Sequence, residues 1–178
     1  MTLLRKLFIS IISITLLISC SKKEDSALNT DSDYFMSFKA NGTEIIYKDI
    51  LTAQYTDLPN QNLYGLTIAG ANFDGPNTDE DFGIILMDDA PITEGSYNQD
   101  YIPNTYSSRA FISYIKGAQA YSSVYPLLSD VAKANVTITE ITNTYISGTF
   151  SGTLVKSDGD YSVITHEITN GKFKIKLQ

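Results

Sequence analysis

The side chains best suited to nucleophilic or metal chemistry are scarce in this chain, which has one histidine, His166, and one cysteine, Cys20. A Ser–His–acid triad would have to use His166, but Glu167 beside it points to the opposite face of the same predicted strand. No Gly-x-Ser-x-Gly elbow precedes a helix, and zinc sites usually draw on several His or Cys ligands. We therefore expect His166 to pack within its strand, and we predict a protein that is not an enzyme.

Acidic side chains are numerous enough to suggest calcium, which binds through oxygen ligands alone. Asp79, Glu80 and Asp81 crowd one predicted loop and are our first candidates for such a site. Their spacing does not match the twelve-residue EF-hand loop, and solvated turn residues explain them equally well. Two carboxylates could also serve a glycoside hydrolase, but the sequence singles out no such pair. We expect no cofactor, with calcium as the alternative.

Tyrosine is the one residue type in excess, with 12 tyrosines and no tryptophan. Six of them fall between residues 97 and 125, in the least regular part of the chain. A tyrosine ring has a flat apolar face and a polar tip, which suits sugars and protein partners. Ordinary packing within a β-sheet explains such rings as well. For a ligand-binding surface, the best candidates are Tyr97, Tyr101 and Tyr106, with Arg109 adding hydrogen bonds.

The residues before Cys20 predict export. Two positive charges precede an apolar stretch at residues 7–18, which is shorter than the roughly 20 residues of a membrane-spanning helix. The run Leu17-Ile18-Ser19-Cys20 resembles the lipobox of bacterial lipoproteins, in which the thiol is joined to diacylglycerol. This resemblance implies a signal peptide at residues 1–19 and a lipid anchor, with palmitate among its acyl chains, on Cys20. Two or more chains at ~0.8 kcal/mol per buried CH₂ would anchor the protein durably.

A charged, polar segment follows the cysteine. Ser21-Lys22-Lys23-Glu24-Asp25 resembles the export tag of Bacteroidota surface lipoproteins, which implies the cell surface side of the outer membrane, with the periplasmic face as the alternative. Residues 20–33 have almost no large apolar side chain and are predicted to be a flexible tether. Residues 34–178 are long enough for a single domain with its own core.

Charge narrows the range of partners. The chain has 13 basic and 20 acidic residues and a net charge of −7, and removal of residues 1–19 would leave 11 basic residues and −9. Nucleic acids and anionic lipids both require clustered Lys and Arg. We therefore predict no nucleic-acid partner, contact with the membrane through the lipid, and a glycan or a protein as the partner of the domain.

Alternation of apolar and polar residues dominates residues 34–178 and predicts β-strands. In residues 172–177, three lysines alternate with apolar side chains, as expected when one face of an antiparallel sheet is buried. Asn41-Gly42 and Thr169-Asn170-Gly171 each predict a tight turn. About eight to ten short strands favour an antiparallel β-sandwich, with a closed, lipocalin-like β-barrel as the alternative.

Gly148 and Gly152 lie inside a predicted strand, which indicates close packing over the backbone or a bend in the sheet. Together with residues 136–139 and 168–173, this glycine-containing segment resembles the end of many uncharacterised Bacteroidota outer-membrane lipoproteins. The resemblance implies an all-β extracytoplasmic module and transfers no catalytic residue. Our hypothesis is a non-enzymatic role in binding or envelope assembly. The alternatives are a glycan-acting hydrolase that uses two carboxylates and a structural subunit of a surface complex.

Overall fold

The fold was analysed in a computed structural model, which describes residues 33–58, 62–73, 79–102, 108–124 and 128–178. These residues form eleven strands and no helix, so the predicted all-β class is confirmed with more strands than the expected eight to ten. No helix in this part of the chain could therefore cross a membrane. The strands are β1 (Phe35–Ala40), β2 (Thr43–Tyr47), β3 (Ile50–Leu58), β4 (Leu63–Asn72), β5 (Glu80–Asp88), β6 (Gly95–Asn98), β7 (Ala110–Lys116), β8 (Gln119–Ser122), β9 (Lys133–Ile141), β10 (Tyr145–Lys156) and β11 (Ile164–Lys176).

The strands form one antiparallel sheet that is curled on itself. Its order is β2-β1-β11-β10-β8-β7-β5-β4-β3, while β9 pairs with β10 and β6 pairs with β9. Strand β10 pairs with β9 along most of its length and with β8 only at Val155 and Lys156. The sheet therefore divides at β10 into a first layer (β2, β1, β11, β10, β9, β6) and a second layer (β8, β7, β5, β4, β3). These two layers make the sandwich that the sequence predicts.

Aromatic side chains from the inward faces of both layers pack together into a single core. The ring of Phe82 from the second layer lies 4.3 Å from Phe38 and 4.9 Å from Phe150, both in the first layer. All three side chains are buried. At the open side of the sandwich, the backbone N–H of Gln178 donates to the carbonyl of Ala53 at 3.0 Å. This contact links the C-terminal end of the chain to the outermost strand of the second layer.

The predicted turn at Asn41-Gly42 is confirmed. Asn41 and Gly42 have φ angles of 49° and 83° and connect β1 to β2, which pair in register on either side of them. These left-handed conformations are those that a two-residue hairpin turn requires. The Asn41 side chain also accepts from the N–H of Glu167 and donates to the carbonyl of Thr165. The hairpin is thereby fastened to the beginning of β11.

The predicted turn at Thr169-Asn170-Gly171 is wrong. Strand β11 runs without reversal through all three residues. An advance of two residues along β1, from Ser37 to Lys39, is matched by an advance of three residues along β11. The pairing of β11 with β10 shows the same one-residue shift, so the extra residue belongs to β11. One extra residue in a strand is a β-bulge, and Asn170 adopts its positive φ of 55° there. The Asn-Gly sequence correctly predicts a residue with positive φ, but a positive φ occurs in β-bulges as well as in tight turns.

Candidate functional site

Tyr97, the first tyrosine of the predicted ligand surface, belongs to the core. It lies in β6 opposite Val136 of β9, and both side chains are buried. Its hydroxyl accepts from the N–H of Thr93 and donates to the Thr93 carbonyl, both at 2.9 Å. The ring therefore has no face open to a ligand, and its polar tip is already satisfied, which corrects the expectation from sequence.

The other members of that surface are held by the protein or lie outside the described residues. Tyr101 is half-buried and forms an isolated β-bridge with Ser108. Arg109 reaches Asp88 at 3.3 Å and Asp89 at 3.6 Å, so its guanidinium is engaged by two carboxylates. Tyr106 lies outside the described residues. Two of the four residues expected to form the ligand surface are therefore already engaged within the protein, Tyr97 in the core and Arg109 by two carboxylates.

The three carboxylates predicted as a calcium site are separated by strand geometry. Glu80 and Asp81 are successive residues of β5, so their side chains point to opposite faces of the sheet. Glu80 shares the inward side with Phe82, whereas Asp81 lies on the outer side, where burial raises the pKa of its carboxyl. Asp79 precedes the strand. Within the described ranges, no three His, Cys, Asp or Glu side chains are grouped to hold a metal ion.

A different group of polar side chains meets at one end of the core, and we name it the Tyr–His cluster: Glu80, Tyr114, Lys116, Tyr121 and His166. Strand pairing sets Glu80 beside Lys116 and Tyr114 beside Tyr121. The His166 ring of β11 lies 4.0 Å from the Tyr121 ring and 5.4 Å from the Tyr114 ring, edge-on to the latter. The cluster thus draws on four strands and on both layers. The packing expected for His166 is what the structure shows.

An ion pair forms the polar side of the Tyr–His cluster. Lys116 Nζ lies 2.6 Å from Glu80 Oε1, and the Tyr114 hydroxyl donates to the same oxygen at 3.0 Å. Burial, followed by the charge of Glu80 and this hydrogen bond, raises the pKa of Tyr114 well above its ordinary range. Burial and Glu80 raise the pKa of the nearby Tyr47 in the same way. Both tyrosines therefore stay protonated throughout the physiological range.

The cluster is partly open to solvent. Tyr114 is fully buried, Tyr121 and His166 are half-buried, and the Lys116 side chain is 57% exposed. Within the described part of the chain, Nδ1 of His166 is a buried nitrogen without a hydrogen-bond partner. A ligand that binds here would contact the exposed parts of Tyr121 and His166 together with the Lys116 ammonium.

Sequence reasoning missed most of this cluster. The structure buries alternate residues of β7, including Tyr114, so this ring faces the core. The available signal is the alternation itself, which places Ala110, Ile112 and Tyr114 on one face of the strand. No local pattern brings Glu80 and His166 together, because their strands meet only through long-range pairing.

Protonation of His166 should destabilise the fold. Burial and the positive charge of Lys116 lower the pKa of His166 below its ordinary value of 6.5. The unfolded chain therefore takes up this proton first, and stability present above pH 6.5 falls as the pH drops through the lowered folded pKa. His166→Phe keeps a ring and removes the titration. Between about pH 7 and pH 5, urea midpoints should fall more for the wild type than for His166→Phe, and equal slopes would contradict the assignment.

Comparison with known proteins adds no family or activity, because no protein-family model, no curated protein and no solved structure matches this chain. The chemistry of the cluster must be inferred from its own side chains. These supply apolar ring surfaces, a neutral imidazole and a charged pair, which suit binding of a polar molecule that has an apolar face.

Proposed function

We propose that this protein is a lipid-anchored extracytoplasmic module that binds a small polar ligand of the sugar class at the Tyr–His cluster and does not transform it. The half-exposed pair of Tyr121 and His166, with ring centroids 4.0 Å apart beside the Glu80–Lys116 ion pair, carries this proposal. Sugars present C–H faces that pack on aromatic rings and hydroxyls that hydrogen-bond to charged groups. The rings of Tyr121 and His166 supply the first kind of contact, and the Glu80–Lys116 ion pair supplies the second.

Two features of the cluster favour binding over hydrolysis. Hydrolysis by two carboxylates requires both of them on one cleft, but Glu80 and Asp81 lie on opposite faces of β5. The carboxylate of Glu80 is also committed to Lys116 and to the Tyr114 hydroxyl. Its oxygens are therefore already engaged within the protein, which leaves it poorly placed to act on a substrate.

Lipid attachment of Cys20, which lies outside the described residues, rests on the lipobox resemblance. The proposal predicts that Cys20→Ser abolishes incorporation of labelled palmitate in the bacterial host. The compact unit spans Ser32–Gln178, so this substitution should leave the urea midpoint of the domain unchanged. Labelling that persists in Cys20→Ser would contradict the anchor.

Tyr121→Ala should weaken ligand binding about five- to tenfold, because loss of one stacking ring removes roughly 1–1.5 kcal/mol. The measurement is titration of the full chain with a panel of neutral oligosaccharides followed by calorimetry. Tyr55→Ala is the matched control, since Tyr55 is a 37% exposed tyrosine on β3 of the second layer. Equal losses in Tyr121→Ala and Tyr55→Ala, or no binding by the wild type, would contradict the proposed site.

A further inference from the structure

The outer surface of the second layer consists almost entirely of uncharged side chains. In β3, β4, β5 and β7 the core takes one alternate set of residues, including Leu66, Ile84 and Ile112, so the other set points outward. Strand pairing aligns these outward residues in rows that cross the four strands. We name the outward side of β3, β4, β5 and β7 the neutral face. The following large apolar side chains are exposed on it: Ile50, Leu58, Ile85 and Ile115.

The neutral face has a raised row of side chains between two recessed rows. The raised row is the one in which Ile85 of β5 pairs with Phe111 of β7. On one side of it, Gly65 forms the floor of a cavity of about 160 Å³ between Thr56 and Met87. The row on the other side has only small side chains: Thr52, Ala69, Gly83 and Ser113. A second cavity, of about 380 Å³, opens over part of this row, so both recessed rows can receive side chains from a partner.

The charged residues of this surface lie towards the ends of its strands. Asp49 and Asp81 are at one end, beside the larger cavity. Arg109 is at the other end, where two carboxylates hold its guanidinium. Asp81 is four residues from Ile85 along β5, a distance of about 13 Å. No charged residue of the described strands therefore projects from the raised row or from the two recessed rows beside it.

A second copy of the chain matches the neutral face in charge and in shape. Each copy carries −7, so contact through charged surfaces would bring like charges together. The centre of a protein interface is typically depleted in charged residues, as the centre of this face is. A twofold axis places the same surface of each copy against the other. The raised row at Ile85 of one copy would then lie in the recessed row at Gly83 of the other.

The size of the neutral face also fits a dimer. Four strands about 4.8 Å apart, each about nine residues long at about 3.3 Å per residue, cover roughly 570 Å² in projection. The raised and recessed rows add accessible surface to this projected area. A standard interface buries about 800 Å² on each partner, and weak or transient interfaces bury less. The face is therefore large enough for a reversible dimer.

We propose that two copies of this protein associate through their neutral faces, with the two second layers packed against each other around Ile85. Sheets that pack face to face lie about 10 Å apart and interdigitate their side chains, which the raised and recessed rows allow. Surfaces that enter a membrane combine large apolar side chains with basic ones, whereas the row at Gly83 is small and partly hydroxylated. The Tyr–His cluster stays outside this contact, because Tyr121 pairs with the buried Tyr114 on the inward side of the layer.

Sedimentation velocity of the full chain tests this proposal. We expect the average mass to rise from one chain towards two between about 1 and about 100 μM. Ile85→Glu places an unpaired charge at the centre of the contact and should raise the dissociation constant about a hundredfold or more. Ile46→Glu is the matched control, because Ile46 is 38% exposed, against 39% for Ile85, and lies on β2 of the first layer. It adds the same charge and should change the constant less than about threefold.

A second variant guards against loss of the fold in Ile85→Glu. Thr67 pairs with Ile85 in the same raised row, so Thr67→Lys adds a charge there without removal of a large apolar side chain. If Ile85→Glu lowers the urea midpoint, Thr67→Lys must give the same loss of the dimer at an unchanged midpoint.

Each outcome of this experiment decides the proposal. A dimer that is lost with a charge at residue 85 or 67 and kept in Ile46→Glu supports it. A wild type that is monomeric at all concentrations overturns it, and so do equal losses in Ile85→Glu and Ile46→Glu. Monomers that bind vesicles of neutral lipid through Ile85 would replace the second copy with a membrane. Tyr121→Ala should dimerise normally, so failure of the Tyr–His site and failure of this proposal are distinguishable.

Discussion

Phe82→Ala is expected to lower the free energy of unfolding by about 4 kcal/mol, because removal of a fully buried aromatic side chain typically costs 3–5 kcal/mol. Phe82 is 0% exposed and is the ring through which the second layer contacts Phe38 and Phe150 of the first. The alanine would leave a cavity between the layers, where the backbone of paired strands can relax only slightly. A urea titration followed by tyrosine fluorescence measures this loss.

Phe73→Ala is the matched control for Phe82→Ala. Phe73 lies just beyond β4 and is 60% exposed, so its truncation should change the free energy of unfolding by about 0.5 kcal/mol or less. Comparable losses in the two variants would mean that Phe82 does not join the layers. A small loss in Phe82→Ala alone would lead to the same conclusion.

Gly171→Ala is expected to destabilise the fold by about 3 kcal/mol, at the upper end of the usual cost of overpacking. An added Cβ would collide with the backbone carbonyl of Phe150 and would lie 2.5 Å from the Cδ2 atom of its ring. A carbonyl in a paired strand cannot move as a flexible side chain can. Relief therefore requires separation of β10 and β11 beside the bulge, and the measurement is again the urea midpoint.

Gly159→Ala tests whether the cost at Gly171 comes from this collision. A Cβ on Gly159 would meet only Lys156, whose Cβ at 3.2 Å would have to shift by a few tenths of an ångström, and Gly159 lies in an exposed turn whose backbone is not held in a strand pair. We expect a change of about 0.5 kcal/mol or less. Near-equal midpoints for Gly171→Ala and the wild type would show that the β10–β11 contact is looser than described.

Local patterns were sufficient for the parts of this fold that depend on neighbouring residues. Alternation identified the strands, and Asn41-Gly42 identified the turn whose φ angles are positive. The packing predicted at Gly148 and Gly152 is confirmed, since a Cβ at either would strike the carbonyl of the paired strand β9. Each of these features depends on a stretch of only a few residues, because side-chain direction and positive φ are local properties.

Features set by long-range pairing could not be obtained in this way. Asn170 has the same positive φ in a bulge as in a turn, and only the neighbouring strands distinguish them. The sequence makes Tyr97 a candidate for ligand contact, but β6 pairs with β9, and this pairing turns the Tyr97 ring inward. Glu80 and His166 belong to one cluster because both contact Tyr114, and their strands are far apart in the sequence. Their proximity is a property of the topology, not of any sequence motif.

Binding without chemical change at the Tyr–His cluster is the central claim, and one measurement tests it most directly. The full chain and its Tyr121→Ala variant are each incubated with oligosaccharides released from bacterial envelopes. The masses and amounts of the bound and the free oligosaccharides are then measured by mass spectrometry. We predict that the wild type retains a sugar whose mass is unchanged and that Tyr121→Ala retains about five- to tenfold less. Shortened products, or equal retention by the two proteins, would contradict the account.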